Sequence, residues 1–377
     1  MVYLDNAATT FPKPPEVAQA MAGCVARLGA NPGRGGHRLA LAAGRLVESC
    51  REALAQEVGM DRPERVIFTS GCTAALNMAI TGTLRRGDEV VCTHAEHNAV
   101  MRTLERWRAR GDITVRVAEP DERGLLTPDG LRRAMTRRTA LVIVCHASNV
   151  TGVVQDVGPL GQVCEAAGVP LLVDAAQTAG LLDIRLRTLH ASMVALPGHK
   201  GLLGPQGIGA LVLGDGMAPE PLLYGGTGSA SEQLTQPALL PDRYESGTLN
   251  LPGIAGLLAG LRFVQAHRAE LRDYEQALTQ RLLSRLGEIP AVRVLGQGQA
   301  ARVGVVSFVS PGDLSYLADA LDRCGFCVRG GLHCAPMMHR WLGTLQTGAI
   351  RASVGPFTTE RDMDDFAAVV QRLTRRG

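Results

Sequence analysis

The fold of this 377-residue chain is decided by the stretch Gly198-His199-Lys200-Gly201-Leu202-Leu203-Gly204-Pro205-Gln206-Gly207. It follows a hydrophobic strand predicted from Ala191 to Leu196, and its density of glycine and proline excludes a helix and predicts a tight loop. A lysine amine held in such a loop at the end of a strand is placed for chemistry with a carbonyl group. Most lysines are solvated surface charges, so Lys200 taken alone would indicate no more than that.

A second predicted strand with a polar residue at its end lies upstream of Lys200, and it changes this interpretation. Leu171-Leu172-Val173-Asp174 has the pattern of a buried strand, and Ala175-Ala176-Gln177 follow it directly. A lysine that forms a Schiff base and an aspartate that pairs with a pyridinium nitrogen are what a pyridoxal phosphate (PLP) site requires. Asp174 and Lys200 together therefore predict this cofactor.

The composition is that of a globular protein, with 46% hydrophobic and 20% charged residues and a formal net charge of +3. So small a charge gives no case for nucleic acid. No apolar run approaches the roughly 18 residues that a membrane helix needs, and residues 1–6 lack the features of a signal peptide. The nine scattered cysteines indicate a reducing compartment. We therefore expect a cytoplasmic protein with neither a membrane nor a nucleic acid as partner.

The order of the predicted elements indicates two domains. From residue 16 to 250, continuously hydrophobic strands alternate with helices, which predicts an α/β architecture with a mostly parallel sheet covered on both faces. A long helix predicted from Pro252 to Gly287 then opens a smaller α+β part. We predict a large domain over 16–250 and a small domain made of 1–15 and 251–377. The strands predicted for the large sheet are Val66–Ser70, Glu89–Thr93, Thr114–Ala118, Ala140–His146, Pro170–Asp174, Ser192–Leu196 and Ile208–Leu213.

Polar side chains follow several of these strands. Ser70-Gly71-Cys72-Thr73-Ala74 combines a glycine turn with a helix start, where free N–H groups and the helix dipole favour a phosphate. His97 follows the next strand and is either a ring-stacking residue or a helix cap. Asn149 follows the strand at 140–146 and is either a ring contact or a turn residue. Open α/β sheets bind ligands at the carboxyl ends of their strands. Because these polar residues all follow strand ends, we expect them to form one site.

Two other known motifs are only partly matched by these segments. His94-Ala95-Glu96 matches half of the zinc-deaminase motif, but the other half needs Pro-Cys-x-x-Cys. Cys324-Gly325-Phe326-Cys327 follows Arg323 instead. The loop at Lys200 also lacks the Gly-Lys-Ser/Thr order of a P-loop. We therefore predict no metal site.

The predicted small domain carries two further candidate site residues, a cysteine in a loop and an arginine on a strand. The glycine-rich loop 328–334 presents Cys334 beside His333 and near Arg329, and nearby positive charge makes a nucleophilic thiolate available. Arg351 lies on a short predicted strand, where its guanidinium could clamp a carboxylate through two hydrogen bonds. Most other cysteines are expected to be small buried residues, namely Cys24, Cys50, Cys92, Cys145, Cys164 and Cys324.

From Tyr3-Leu4-Asp5-Asn6-Ala7-Ala8-Thr9-Thr10 to Arg351-Ala352-Ser353, the chain resembles the class V aminotransferase-fold enzymes. Within them it most resembles the cysteine desulfurase / selenocysteine lyase family, in the group with a short cysteine loop. The strongest motif is Asp174-Ala175-Ala176-Gln177 followed by Gly198-His199-Lys200. The resemblance implies a PLP-dependent transferase of fold type I that removes sulfur from L-cysteine. The products would be L-alanine and a persulfide on Cys334, which passes to an acceptor protein or a small thiol.

The resemblance also implies roles for individual residues. Lys200, His97 and Cys334 would be catalytic, with Lys200 attached to PLP, His97 stacked on its ring and Cys334 accepting the sulfur. Arg351 would hold the substrate carboxylate. Thr248 would reach the phosphate of the partner subunit, which makes the active unit a homodimer. The residues implied in cofactor binding are Cys72, Thr73, Ala74, His97, Asn149, Asp174, Gln177, His199, Lys200 and Thr248, and those implied in substrate binding are Asn6, His37, Asn149, Arg329 and Arg351.

Two positions depart from the family's pattern. Pro197 stands where many relatives have a Ser or Thr that bonds the phosphate, and Leu332 stands where close relatives often have a second histidine. Three other functions stay open at this point. The chain could be a selenocysteine lyase, which depends less on Cys334, or an aminotransferase or β-eliminating lyase, in which Cys334 is incidental. It could also be a non-catalytic sulfur-relay or scaffold protein.

Overall fold

The computed structural model describes residues 1–32, 35–296, 298 and 300–375. The strands of this described part are β1 (Val2–Tyr3), β2 (Val66–Thr69), β3 (Glu89–Thr93), β4 (Thr114–Ala118), β5 (Thr139–Cys145), β6 (Leu171–Asp174), β7 (Met193–Pro197), β8 (Gly209–Leu213), β9 (Arg293–Val294), β10 (Val305–Val309), β11 (Phe326–Cys327), β12 (Arg329–Gly331) and β13 (Ala349–Ser353). The helices are α1 (Pro15–Arg27), α2 (Arg38–Glu57), α3 (Cys72–Thr83), α4 (Asn98–Arg108), α5 (Pro128–Ala134), α6 (Val157–Ala166), α7 (Leu186–Leu189), α8 (Leu251–Gly287), α9 (Leu314–Arg323), α10 (Pro336–Trp341) and α11 (Glu360–Thr374).

The largest sheet has seven strands in the order β2-β8-β7-β6-β5-β3-β4. Strand β8 runs antiparallel to both its neighbours, β2 and β7. The pairs among the remaining strands are parallel. The carboxyl ends of β2, β3, β5, β6 and β7 therefore meet at one edge. The predicted α/β architecture with a mostly parallel seven-stranded sheet is confirmed.

Both faces of this sheet are buried, as the continuous hydrophobicity of its strands predicted. Along β5, Leu141 and Ile143 face the core formed with α3 and α4. Val142 and Val144 point the other way, into the core formed with α2, α6 and α8. Burying each such side chain contributes about 1.5–3 kcal/mol. The sheet is thereby a rigid support for the loops at its carboxyl edge.

The C-terminal part forms a smaller sheet in the order β12-β13-β10-β9, and β1 pairs with β11. Its core includes Phe308 and Phe366. Helix α8, 37 residues long, joins both cores. Ile254 near its start packs in the large core and Leu282 near its end in the small one. A boundary at residue 250 thus precedes a helix shared by both parts, and the two-domain division stays a prediction.

The last helix and the segment before α8 show where local pattern suffices and where it fails. Thr359 and Asp362 form the capping box of α11, a helix start that the run Thr359-Glu360-Arg361-Asp362 predicts by its spacing. Residues 214–250, in contrast, form neither helix nor strand, although the alternation of elements was expected to run to residue 250. No helix of the described residues is long and apolar enough to cross a membrane.

Candidate active site

The carboxyl edge of the large sheet opens into a cavity of about 330 Å³. Loops after β2, β3, β5, β6 and β7 contribute to its wall, as do residues of β12 and β13. The predicted site residues that line it are Cys72, Thr73, Ala74, His97, Asn149, Asp174, Gln177, His199, Lys200, Arg329 and Arg351.

Lys200 follows β7 and faces this cavity. Burial lowers the pKa of its ammonium group, and the nearby Asp174 carboxylate opposes this shift. Burial therefore favours the neutral, nucleophilic form of the amine. Gly201 lets the loop pass close to the preceding turn, since a Cβ at this position would lie 2.3 Å from the carbonyl oxygen of Ala179.

Asp174 ends β6 and is 3% exposed. Its Oδ1 accepts the backbone N–H of Ala176 at 2.9 Å and the thiol of Cys72 at 3.5 Å. Burial raises the pKa of the Cys72 thiol well above its ordinary value, and the Asp174 carboxylate adds to this effect. Cys72 is thereby held as a neutral thiol that donates to Asp174.

His97 caps the N-terminus of α4, so one of its two sequence-based interpretations is confirmed. Its Nδ1 accepts the backbone N–H of Ala99 at 3.0 Å, which leaves the proton on Nε2. Burial lowers the pKa of the ring. His97 also lines the cavity, so the cap fixes an imidazole at the wall without preventing contact with a ligand.

The start of α3 offers backbone N–H groups to an anion. Its N-cap is Gly71, and no side chain caps it. Thr73 and Ala74 of the first turn line the cavity together with His199 and Pro197. Burial lowers the pKa of His199 to about 4. This end of the cavity has the donors that a phosphate needs, while Pro197 contributes no hydroxyl.

Arg351 projects from β13 and is 1% exposed. Its Nη2 donates to Asp5 Oδ1 at 2.6 Å and its Nη1 to the Asn149 carbonyl at 3.1 Å. Arg329 of β12 lies directly opposite it in the sheet register. Two guanidinium groups thus border the cavity, and Asp5 compensates one of them.

Three buried polar atoms at the cavity have no hydrogen-bond partner among the described residues: Asn149 Oδ1, His199 Nδ1 and Arg351 Nε. Buried polar atoms are normally paired, so this set indicates a polar ligand. With the amine of Lys200 and the carboxylate of Asp174, these residues fit PLP, which needs a lysine, an acidic partner for its ring nitrogen and a phosphate site.

Cys334 lies beside the cavity, next to its lining residues Arg329 and His333. Its half-buried Sγ is 4.0 Å from Arg329 Nη2. The carbonyl of Cys334 accepts the backbone N–H of Asn98 at 2.7 Å. The reactive loop predicted in the C-terminal part is therefore tied to the helix that His97 caps.

Besides Cys334, three predicted residues do not line this cavity. Asn6 is buried, and its amide donates to the Ser353 carbonyl at 3.0 Å. His37 is exposed and caps α2 through its Nδ1. Thr248 is exposed in the segment before α8. Within one chain, the pocket roles assigned to Asn6 and His37 find no support, whereas the exposure of Thr248 leaves it accessible to a second subunit.

The expectation for the other cysteines needs one correction. Cys24, Cys50, Cys92, Cys145 and Cys164 are buried as predicted, but Cys324 is exposed. It follows the last residue of α9, and Arg372 Nη2 lies 3.6 Å from its Sγ. The end of an amphipathic helix brings Cys324 to the surface, which its sequence position alone did not indicate.

Other residues at the site were not assigned from the sequence. Ser70, Gln206 and Gly207 line the cavity. Gln206 and Gly207 lie in the predicted loop after β7, and Ser70 is the last residue of a predicted strand. Lys13 donates to the carbonyl of His199 at 2.6 Å, across 186 positions. His339 of α10 contacts His333. Neither of these last two contacts leaves a local signal in the sequence.

Comparison with known proteins shows which family the chain belongs to. The family model for aminotransferase class V matches residues 2–366. A probable cysteine desulfurase of Methanothermobacter thermautotrophicus is 33% identical, over 100% of this chain and 95% of that protein. A cysteine desulfurase of Cronobacter sakazakii is 32% identical, over 100% and 94%. The apo structure of cysteine desulfurase from Thermococcus onnurineus NA1 has a TM-score of 0.92 and 32% identity, and the match covers 100% of this chain and 95% of that one. The chain therefore belongs to the aminotransferase class V family, and within it to the cysteine desulfurases.

Proposed function

We propose that this chain is a PLP-dependent cysteine desulfurase that uses Lys200, Asp174 and Cys334 as its reacting groups. The observation that carries the proposal is their arrangement: a half-buried lysine and a buried aspartate face one cavity, and a cysteine lies at its border beside an arginine. When bound, PLP would supply an electron sink that stabilises negative charge at the substrate Cα.

The walls of the cavity would hold this cofactor. Asp174 would pair with its ring nitrogen, His97 would contact the ring face, and the first turn of α3 with His199 would bind the phosphate. Asn149 and Gln177 border the same cavity and would contact the oxygen side of the ring. Because Pro197 replaces a hydroxyl-bearing residue, backbone N–H groups of α3 would carry more of the phosphate binding.

The chain's own side chains would then orient the substrate and move a proton. Arg351, with Arg329 opposite it, would bind the substrate carboxylate. Lys200 would attach the cofactor through its amine and, once the substrate amine has replaced it, would take the proton from Cα. Its lowered pKa suits this role, because a base must be neutral before it can accept a proton.

Cys334 would take the sulfur. Its thiolate attacks the substrate sulfur, an S–S bond forms, and the Cβ–S bond breaks with its electron pair remaining on Cβ. Cβ then takes a proton and becomes the methyl group of alanine, and the proton held by Lys200 returns to Cα. Overall, L-cysteine and the Cys334 thiol give L-alanine and a Cys334 persulfide, with no external oxidant or reductant. An acceptor protein or small thiol would then remove the sulfur.

Replacing this cysteine tests the proposal. Cys334→Ala should abolish alanine release from L-cysteine, while the visible absorbance of bound PLP persists. Cys324→Ala is the matched control, because Cys324 is exposed and lies outside the cavity, and it should keep wild-type turnover. Undiminished alanine release by Cys334→Ala would contradict the persulfide step. Loss with L-cysteine but not with L-selenocysteine in that variant would instead identify a selenocysteine lyase.

We also propose that the active unit is a homodimer. The irregular segment 214–250 exposes a series of apolar side chains, including Tyr224 (67%), Leu234 (106%) and Leu239 (69%). A second copy would cover them, and Thr248 in the same segment would then reach the partner's phosphate. Sedimentation equilibrium should give the mass of two chains, and Leu234→Glu should weaken the association. A wild-type monomer with full activity would contradict this assembly.

A further inference from the structure

The turn that carries Cys334 has an unfavourable backbone conformation. Ala335 N donates to the Leu332 carbonyl at 2.9 Å, which closes a four-residue β-turn. Its two central residues, His333 and Cys334, have φ values of 49° and 57°. Turns with positive φ at both central positions normally use Gly, Asn or Asp there. Side chains as large as these persist in this conformation only where the surroundings hold them.

Two of the restraints act on the backbone of the turn. Asn149 Nδ2 donates to the His333 carbonyl at 2.6 Å. The backbone N–H of Asn98 donates to the Cys334 carbonyl at 2.7 Å. Asn149 lies in the loop after β5 and Asn98 at the start of α4, both at the carboxyl edge of the large sheet, so the two donors fix the turn toward the cavity.

The third restraint is a chain of hydrogen bonds through two buried imidazoles. His333 Nε2 lies 3.1 Å from the Arg329 carbonyl, and His333 Nδ1 lies 3.3 Å from His339 Nε2. His339 Nδ1 lies 2.8 Å from Thr344 Oγ1. The exposed fractions of His333, His339 and Thr344 are 3%, 0% and 2%.

The carbonyl at one end sets the direction of every bond in this chain. A carbonyl only accepts, so His333 carries its proton on Nε2 and its Nδ1 must accept. His339 then donates through Nε2–H, and its Nδ1 accepts the Thr344 hydroxyl. Burial lowers the pKa of His333 to about 3 and that of His339 to about 4. Both rings are therefore neutral near pH 7, as the chain of bonds requires.

We propose that His339 is a positioning residue for Cys334. Through His333, it joins helix α10 to the turn and holds the thiol beside Arg329. The inference rests on the proposed role of Cys334 as sulfur acceptor. Without the N–H of His339, the Nδ1 of His333 becomes a buried acceptor with no donor, which is unfavourable. The strained turn then loses a restraint and relaxes, so that the thiol moves away from Arg329 and toward solvent.

Paired variants of the holoenzyme test this inference. His339→Leu removes the donor, whereas His339→Gln keeps an N–H at the end of a side chain of similar reach. We expect His339→Leu to lower kcat for alanine release about ten- to a hundredfold at nearly unchanged KM and to speed alkylation of Cys334 by iodoacetamide severalfold. His339→Gln should restore both within about threefold. Equal impairment of the two variants, or wild-type behaviour of His339→Leu, would overturn the inference.

Two measurements keep the result interpretable. Alkylation of Cys334 and of Cys50 is measured separately, on the peptide that carries each cysteine after digestion. The fully buried Cys50 must stay unreactive if the variant is folded. If His339→Leu exposes Cys50, Thr344→Val replaces it in the comparison, because it removes only the hydroxyl that orients His339. Alkylation needs no turnover. The enzyme could release no alanine while Cys334 is still alkylated faster in His339→Leu than in His339→Gln. That result would contradict the proposed function and support this inference.

Discussion

One carboxylate oxygen of Asp174 bonds to the protein, and the other is left for a ligand in the cavity. Oδ1 accepts the bonds from Ala176 and Cys72, which leaves Oδ2 for a ligand. Asp174→Asn keeps an oxygen for the Ala176 N–H but removes the charge, so we expect the fold to persist while kcat for alanine release falls about 10²–10³-fold. Steady-state kinetics and a melting curve measure the two effects. Asp183→Asn, at an exposed carboxylate, is the control, and equal kinetics in both variants would contradict the role of Asp174.

At the level of single residues, the sequence indicates the candidate reacting groups more clearly than the residues that support them. Lys200 stands in a recognisable loop, and so does Cys334. The carbonyl of His199, however, accepts hydrogen bonds from Thr9 Oγ1, Thr10 N and Lys13 Nζ, all from the N-terminal segment. Contacts of this kind depend on how distant segments meet in space, and nothing in the local pattern encodes them.

Strand β2 and helix α2 are joined to the irregular segment before α8 by one buried ion pair. Arg51 binds both carboxylate oxygens of Glu245 at 2.8 Å, and Glu245 Oε1 also accepts the Phe68 N–H at 2.7 Å. The side chains of the pair are 3% and 5% exposed. This pair fixes the segment that carries Thr248 to the strand leading into the predicted phosphate loop.

Breaking that pair should be costly because it leaves an uncompensated buried charge. We expect Glu245→Gln to lower the free energy of unfolding by about 3–5 kcal/mol, measured by urea denaturation. Glu220→Gln is the control, since Glu220 pairs with arginines at the surface and should contribute at most about 1 kcal/mol. Similar losses in the two variants would show that the Arg51–Glu245 pair is not what holds the segment.

The strands of the large sheet could be predicted almost to the residue, because all of them except the edge strand β4 are short apolar runs that are mostly buried. β3 and β4 have the predicted bounds, and β7 is shifted by one residue to end at Pro197. The course of residues 214–250 could not be predicted in this way. An isolated ion pair over 194 positions and a set of exposed apolar side chains have no periodicity that a sequence pattern reveals.

At the scale of the whole molecule, Glu275 links stability to pH. It lies on α8 in the region between the two cores and is 8% exposed, and burial raises its pKa to about 8. The unfolded chain ionises this carboxyl near pH 4.5, so the folded state holds an extra proton between about pH 4.5 and 8. The stability that this group contributes is complete below pH 4.5 and is lost as the pH rises through 8.

Glu275→Gln should remove this dependence. We expect the variant to match the wild type near pH 4.5 and to exceed it by up to about 4 kcal/mol at pH 8.5, measured by urea denaturation at both values. Comparing the two proteins at each pH cancels the contribution of every other titrating group. A difference that does not grow with pH would mean that Glu275 has a charged or solvated environment in the folded state.

The bond from the Asn98 N–H to the Cys334 carbonyl has a use beyond holding the turn. In deuterated solvent this amide proton exchanges when that bond opens. Its exchange rate therefore measures how often the cysteine turn leaves its closed form, with no label on the thiol itself. The same amide begins the helix that His97 caps, so a group added to Cys334 that displaces the turn should speed exchange at the start of this helix. A single backbone position thus reports on the turn that carries Cys334 and on the helix beside it.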